Sequence, residues 1–122
     1  FPKVCNWLGL ATLVISLQLV FWVLRTNKFA ARVVLIQPGQ QLVTTGPYAV
    51  VRHPMYTAVV PGFCCFPIAV GSFWGVLPLS LFLIPLIAFR TYDEEEFLVN
   101  MFGKEYHDYR KKVPYKLVPF LF

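Results

Sequence analysis

No acidic residue precedes Asp93; all six lie from there onward. Charge of either sign is sparse, at 14% of the 122 residues, where a soluble domain carries about 25%. From Val4 to Leu24, and again from Thr57 to Phe89, there is no charge at all. These absences exclude an ordinary soluble domain, because uncharged runs beyond about 18 residues read as membrane-spanning. The three cysteines form no C-x-x-C pair and no Cys/His spacing, which removes a zinc site. No metal is expected. No Gly-rich phosphate loop, H-E-x-x-H pair or Ser-His-Asp set occurs, and no internal repeat or low-complexity segment is visible. The net charge of +5 sits beside apolar runs. It reads as an orientation signal or an anionic-lipid contact, not as a nucleic-acid footprint.

What remains is strongly apolar, with 57% hydrophobic residues. Val4–Leu24 is too long for a signal-peptide core and ends without a small-residue cleavage site, so it reads as a membrane helix. Thr57–Phe89 as one helix would reach about 50 Å, against a hydrocarbon core of about 30 Å. A hairpin of two shorter helices fits better, turning at Gly71-Ser72. Pro54 suits the first turn of the second helix, while Pro61, Pro67, Pro78 and Pro85 bend or start helices. Basic residues concentrate in the first linker and after the hairpin, so the positive-inside rule places both on the cytosolic side.

The tail reads as an amphipathic helix continuing from the third membrane helix. Its apolar stripe is Phe97, Leu98, Met101, Phe102, Tyr106 and Tyr109, and Val113-Pro114 ends it. The expected fold is all-α: an integral membrane bundle of about three transmembrane helices plus a C-terminal amphipathic helix. Residues 1–122 form one domain. The chain opens on Phe1, not Met, so native helices are expected to precede it.

Two polar clusters flank the hairpin. The first is Gly46-Pro47-Tyr48 followed by Arg52-His53-Pro54-Met55-Tyr56. The second runs from Arg90 to Glu96. Taken alone, the first is equally a juxtamembrane cap, with Arg and His facing headgroups and Tyr in an aromatic belt. Arg90 and Glu94, spaced i, i+4, share a helix face and can pair. Glu95 and Glu96 read as a solvated charge run, and His107 as solvent-facing. A hairpin would bring Arg90 and Glu94 to the level of His53 and Tyr56. Ionisable groups at a membrane boundary that face a bundle interior are functional candidates.

From about Gln40 to Pro114 these residues resemble the C-terminal core of the isoprenylcysteine carboxyl methyltransferase family and its prokaryotic relatives. The matching text is Leu42-Val43-Thr44-Thr45-Gly46-Pro47-Tyr48, then Arg52-His53-Pro54-Met55-Tyr56. After the hairpin come Glu94-Glu95, Leu98, Phe102-Gly103, Tyr106 and Tyr109, closing with Val113-Pro114. The resemblance implies S-adenosylmethionine as cofactor, held by Gln40, Leu42, Val43, Tyr48, His53, Pro54, Met55, Tyr56 and Glu94. It implies Arg90 at the substrate, positioning a carboxylate. Gln40 stands where the family often has His, and Ala58 where it often has Gly.

The residue types suit that chemistry. Methyl transfer is an in-line displacement that depends mainly on alignment. A carboxylate acceptor is already ionised, so no general base is required. A lipid or prenylated substrate would enter from the bilayer, with the site facing the cytosol. The membrane would be the endoplasmic reticulum in a eukaryote and the plasma or inner membrane in a prokaryote. Three alternatives stand beside this reading: a phospholipid N-methyltransferase, a sterol-type reductase relative and a non-catalytic membrane scaffold.

Overall fold

The computed structural model describes residues 1–27 and 42–119. Among them the chain is helical, without strands: α1 (Lys3–Thr26), a 3-10 turn (Gly46–Ala49), α2 (Pro54–Ala69), α3 (Val76–Phe102) and α4 (Lys104–Lys112). α1 and α3 are long and apolar enough to cross a membrane. Their side chains are largely uncovered by protein; Trp7, Leu17, Phe21, Leu81, Phe82 and Phe89 all face outward. Such a surface is stable in hydrocarbon, where the backbone groups are satisfied within each helix. The all-α membrane bundle expected from the sequence is the fold observed.

α1 and α2 pack against each other closely. Small residues make this possible. Gly9, Ser16 and Val23 are the buried positions of α1, one every seven residues. Opposite them lie Ala69 and Gly62: a Cβ on Gly9 would stand 2.5 Å from the Ala69 backbone nitrogen, and one on Gly62 would stand 2.8 Å from Ser16 Cβ. Helices in lipid associate through such close backbone approach, since the apolar side chains gain little by leaving lipid for protein. Asn6 adds polar glue. Its amide donates to the Ala69 carbonyl at 3.2 Å, one of the terminal α2 carbonyls that lack a helical partner.

The expected hairpin is present, but it is asymmetric. α2 has 16 residues and α3 has 27. α3 does not stop where the charge begins. It runs on through Arg90 to Phe102, lifting its last turns and the second polar cluster clear of the uncharged run. The turn lies where Gly71 adopts φ +94°, a conformation glycine accepts without a Cβ clash. α3 and the tail helix are not continuous either. Gly103 breaks them with φ 58°, ψ −122°, a combination only glycine adopts readily. α4 therefore turns back, and Tyr106, Tyr109 and Val113 form a buried cluster flanked by Leu42, Leu98, Val99 and Phe102.

Candidate functional site

The first polar cluster is shaped by Pro54. Proline disfavours the helical region for the residue before it, and His53 accordingly sits at φ −124°, ψ 63° as the N-cap of α2. This extended entry leaves the amides of Arg52 and His53 without helical acceptors. They donate to the carbonyls of Tyr115 and Lys116, each at 2.9 Å. The Thr57 hydroxyl donates to Leu117 O at 2.6 Å. Residues 115–117 thus form a strap across the start of α2. Tyr109 fixes the same segment from α4, donating its hydroxyl to the Tyr48 carbonyl at 2.7 Å. The Tyr48 hydroxyl accepts from Asn27 at 3.1 Å, which ties the end of α1 to the 3-10 turn.

Within this frame the two clusters meet. Tyr56 lies one turn after His53 on α2 and donates to Glu94 Oε1. Arg90 Nε approaches the same oxygen at 3.5 Å. His53 Nδ1 lies 3.7 Å from Glu94 Oε2, and His53 Nε2 lies 3.1 Å from Glu95 Oε1. Arg52 reaches Glu95 Oε1 at 3.2 Å, and Arg110 of α4 reaches Oε2 at 3.8 Å. The side chains of Arg52, His53, Glu94 and Glu95 are all under a tenth exposed, whereas that of Arg90 is 47% exposed. Burial works against a charged His53. The carboxylates of Glu94 and Glu95 outweigh it and hold the imidazole above its ordinary value of 6.5. Burial, helped by the nearby Glu95 carboxylate, pushes the Tyr106 and Tyr109 phenols up, keeping both neutral.

The structure therefore brings His53, Tyr56, Arg90 and Glu94 into one group. Pro54 is buried as the first residue of α2, and Met55 is half-buried beside it. Leu42 packs on the Tyr106 cluster, and Val43 is half-buried. Tyr48 joins through its backbone and its link to Asn27. Gln40 lies outside the described residues. Glu95 is a correction: it is buried at 5% exposure and paired, not part of a solvated run. The reason is the return of α4, which brings Arg110 over it. Arg52 likewise faces Glu95, not lipid headgroups. Glu96 and His107 are exposed, as expected. Sequence reasoning missed Arg110, Thr57 and the strap. Adjacent glutamates leaving an apolar helix on different faces were the available signal.

The donor set suits a small zwitterionic ligand. Glu94 is a buried carboxylate able to accept from hydroxyls or an ammonium. Arg90 is a half-exposed cation beside it. The comparison with known proteins points the same way, because the phospholipid methyltransferase family model matches residues 4–105. The chain belongs to that family. It is similar to the protein-S-isoprenylcysteine O-methyltransferase of Schizosaccharomyces pombe, with 42% identity over 73 residues, covering 60% of this chain and 31% of the relative. YpbQ of Bacillus subtilis is 30% identical over 94 residues, 75% of this chain and 56% of the relative. The Delta(14)-sterol reductase of Mus musculus is 27% identical over 86 residues, 69% of this chain and 20% of the relative. The chain thus spans between a fifth and little more than half of these relatives.

Proposed function

We propose that this chain carries the methyl-donor site of a membrane methyltransferase that uses S-adenosylmethionine and esterifies the carboxylate of an isoprenylcysteine-type lipidated substrate at the cytosolic face. The observation that carries the reading is Glu94, buried and held by Tyr56, His53 and Arg90, with Arg90 alone reaching outward. Family membership and the similarity to isoprenylcysteine O-methyltransferases support it.

S-adenosylmethionine, when bound, would supply an electrophilic methyl on a sulfonium whose leaving group is a neutral thioether. Glu94 would hold its ribose hydroxyls or its ammonium. Leu42, Val43, Pro54 and Met55 would line its apolar part, and Tyr48 and Tyr56 would lie near the cation. Arg90 exchanges its contact with Glu94 for the acceptor carboxylate, as its exposure allows, and its planar fork aligns that carboxylate. The residues supply position more than proton transfer.

Methylation of a phospholipid amine is the second reading, favoured by the description of the matched family model. An amine must first lose a proton to a nearby base. His53 turns both nitrogens to carboxylates, and Glu94 accepts from Tyr56 and is engaged by the cofactor in this reading. Neither is a free base, so the carboxylate acceptor ranks first. The test offers labelled S-adenosylmethionine with a prenylcysteine analogue and phosphatidylethanolamine side by side, to the parent protein and to Arg90→Ala. Ester formation that falls in the variant, and falls less in Arg90→Lys, is expected. Amine methylation that survives Arg90→Ala, with no ester from either protein, overturns the carboxyl reading.

A further inference from the structure

Glu94 and Glu95 are neighbours in sequence, so on α3 they point about 100° apart. Glu94 faces Tyr56 and the exposed Arg90. Glu95 faces inward, with Oε1 held by Arg52 and His53 and Oε2 within 3.8 Å of Arg110. His53 lies between the two carboxylates and presents one ring nitrogen to each. A neutral imidazole has one N–H and would aim a lone pair at one of those carboxylates, whereas the imidazolium turns an N–H to each, as a hydrogen bond to Glu95 at 3.1 Å and an ion-pair contact to Glu94 at 3.7 Å.

We propose that Glu95, braced by Arg52 and Arg110, is a positioning residue that fixes the His53 ring as an imidazolium, and that this fixed cation is what holds Glu94 Oε2 in place for ligand. Glu95 itself touches no ligand. The groups facing His53 are Arg52 before α2, Tyr56 on α2, and Glu94 and Glu95 on α3 with Arg90 beyond. Behind Glu95 stand Tyr106 and Arg110 of α4 and Lys116 of the strap. The carboxylates are its nearest charged partners, and the raised imidazole agrees with that placement. Only the ligand-binding consequence rests on the methyltransferase reading.

Two histidines make the test direct. His107 is exposed on α4, outside the cluster, and His107→Asn leaves His53 as the one imidazole. Nitrogen-15 spectra of histidine-labelled protein in detergent then report both ring nitrogens through a pH titration. In the parent both should carry protons at pH 7, with a midpoint above the ordinary 6.5. Glu95→Gln should lower the midpoint and weaken S-adenosylmethionine affinity about tenfold, the equivalent of one charged hydrogen bond. Glu95→Asp should recover part of both. A neutral ring in the parent at pH 7, or a midpoint unmoved by Glu95→Gln, overturns the proposal. If Glu95→Gln does not fold, Glu95→Asp decides by the same spectra, an unmoved midpoint again counting against it. If S-adenosylmethionine binds no variant and not the parent, the methyltransferase reading falls, while the titration still judges the role of Glu95.

Discussion

The two ends of this molecule are held together by opposite means. In the apolar half, α1 and α2 approach through Gly9, Ser16 and Gly62, and shape does the holding. At the polar end, Arg52, His53, Glu94, Glu95 and Arg110 are held by charge and direction, in a space where desolvated ions are stable only while paired. The first region tolerates almost any apolar side chain on its outer surface but no added atom on its inner one. The second tolerates small changes of shape but not the loss of a partner. A substitution's cost should therefore depend on which rule it breaks, not on how conservative it looks.

Glu95→Ala should be the most damaging change, at about 3–5 kcal/mol, because it strands Arg52 and His53 in a buried site. Thermal unfolding in detergent measures it, and a loss no larger than that of Glu96→Ala would contradict the buried network. Gly9→Val breaks the other rule. Its Cβ would collide with the Ala69 backbone nitrogen, and overpacking costs about 1–3 kcal/mol. It should loosen the α1–α2 pair, seen as weaker crosslinking between cysteines placed on the two helices, while His53 still titrates as in the parent. Tyr109→Phe removes one hydrogen bond to the Tyr48 carbonyl and should cost about 0.5–1.5 kcal/mol. Leu17→Phe, on the outward face of α1, should stay within about 0.5 kcal/mol. A large effect there would mean that this face is covered.

A change of pH separates the regions without mutation. His53 is raised in the folded protein, so its protonation adds stability that is complete below pH 6.5. That stability is lost as pH rises through the folded midpoint. Thermal midpoints taken upward from pH 6.5 should decline in the parent and decline less in His53→Gln. Equal slopes would show that the imidazole is not coupled to folding.

The apolar half was legible in the sequence because hydrocarbon imposes a simple rule: uncharged runs of sufficient length become helices. The hairpin turn, the Pro54 start and the pairing of Arg90 with Glu94 follow from local chemistry. The burial of Glu95 does not. It depends on α4 folding back at Gly103, a tertiary event that no spacing within Arg90–Glu96 announces. The strap was hidden for a related reason. Tyr115, Lys116 and Leu117 act through backbone carbonyls, which every residue carries, so side-chain identity says nothing about them. The i, i+1 placement of two glutamates was readable as two directions, but which one faced solvent was decided by Arg110.

The strap also sets an order of events. Arg52 and His53 leave the ribosome early, before either helix of the hairpin. Their amide acceptors in residues 115–117 emerge only after α3 and α4. During synthesis the backbone amides of Arg52 and His53 wait for those acceptors, hydrated. The hairpin can insert in that interval because Thr57–Phe89 carries no charge. The pocket closes last, and a ribosome that stalled after Phe102 would leave a protein already in the bilayer yet without its strap.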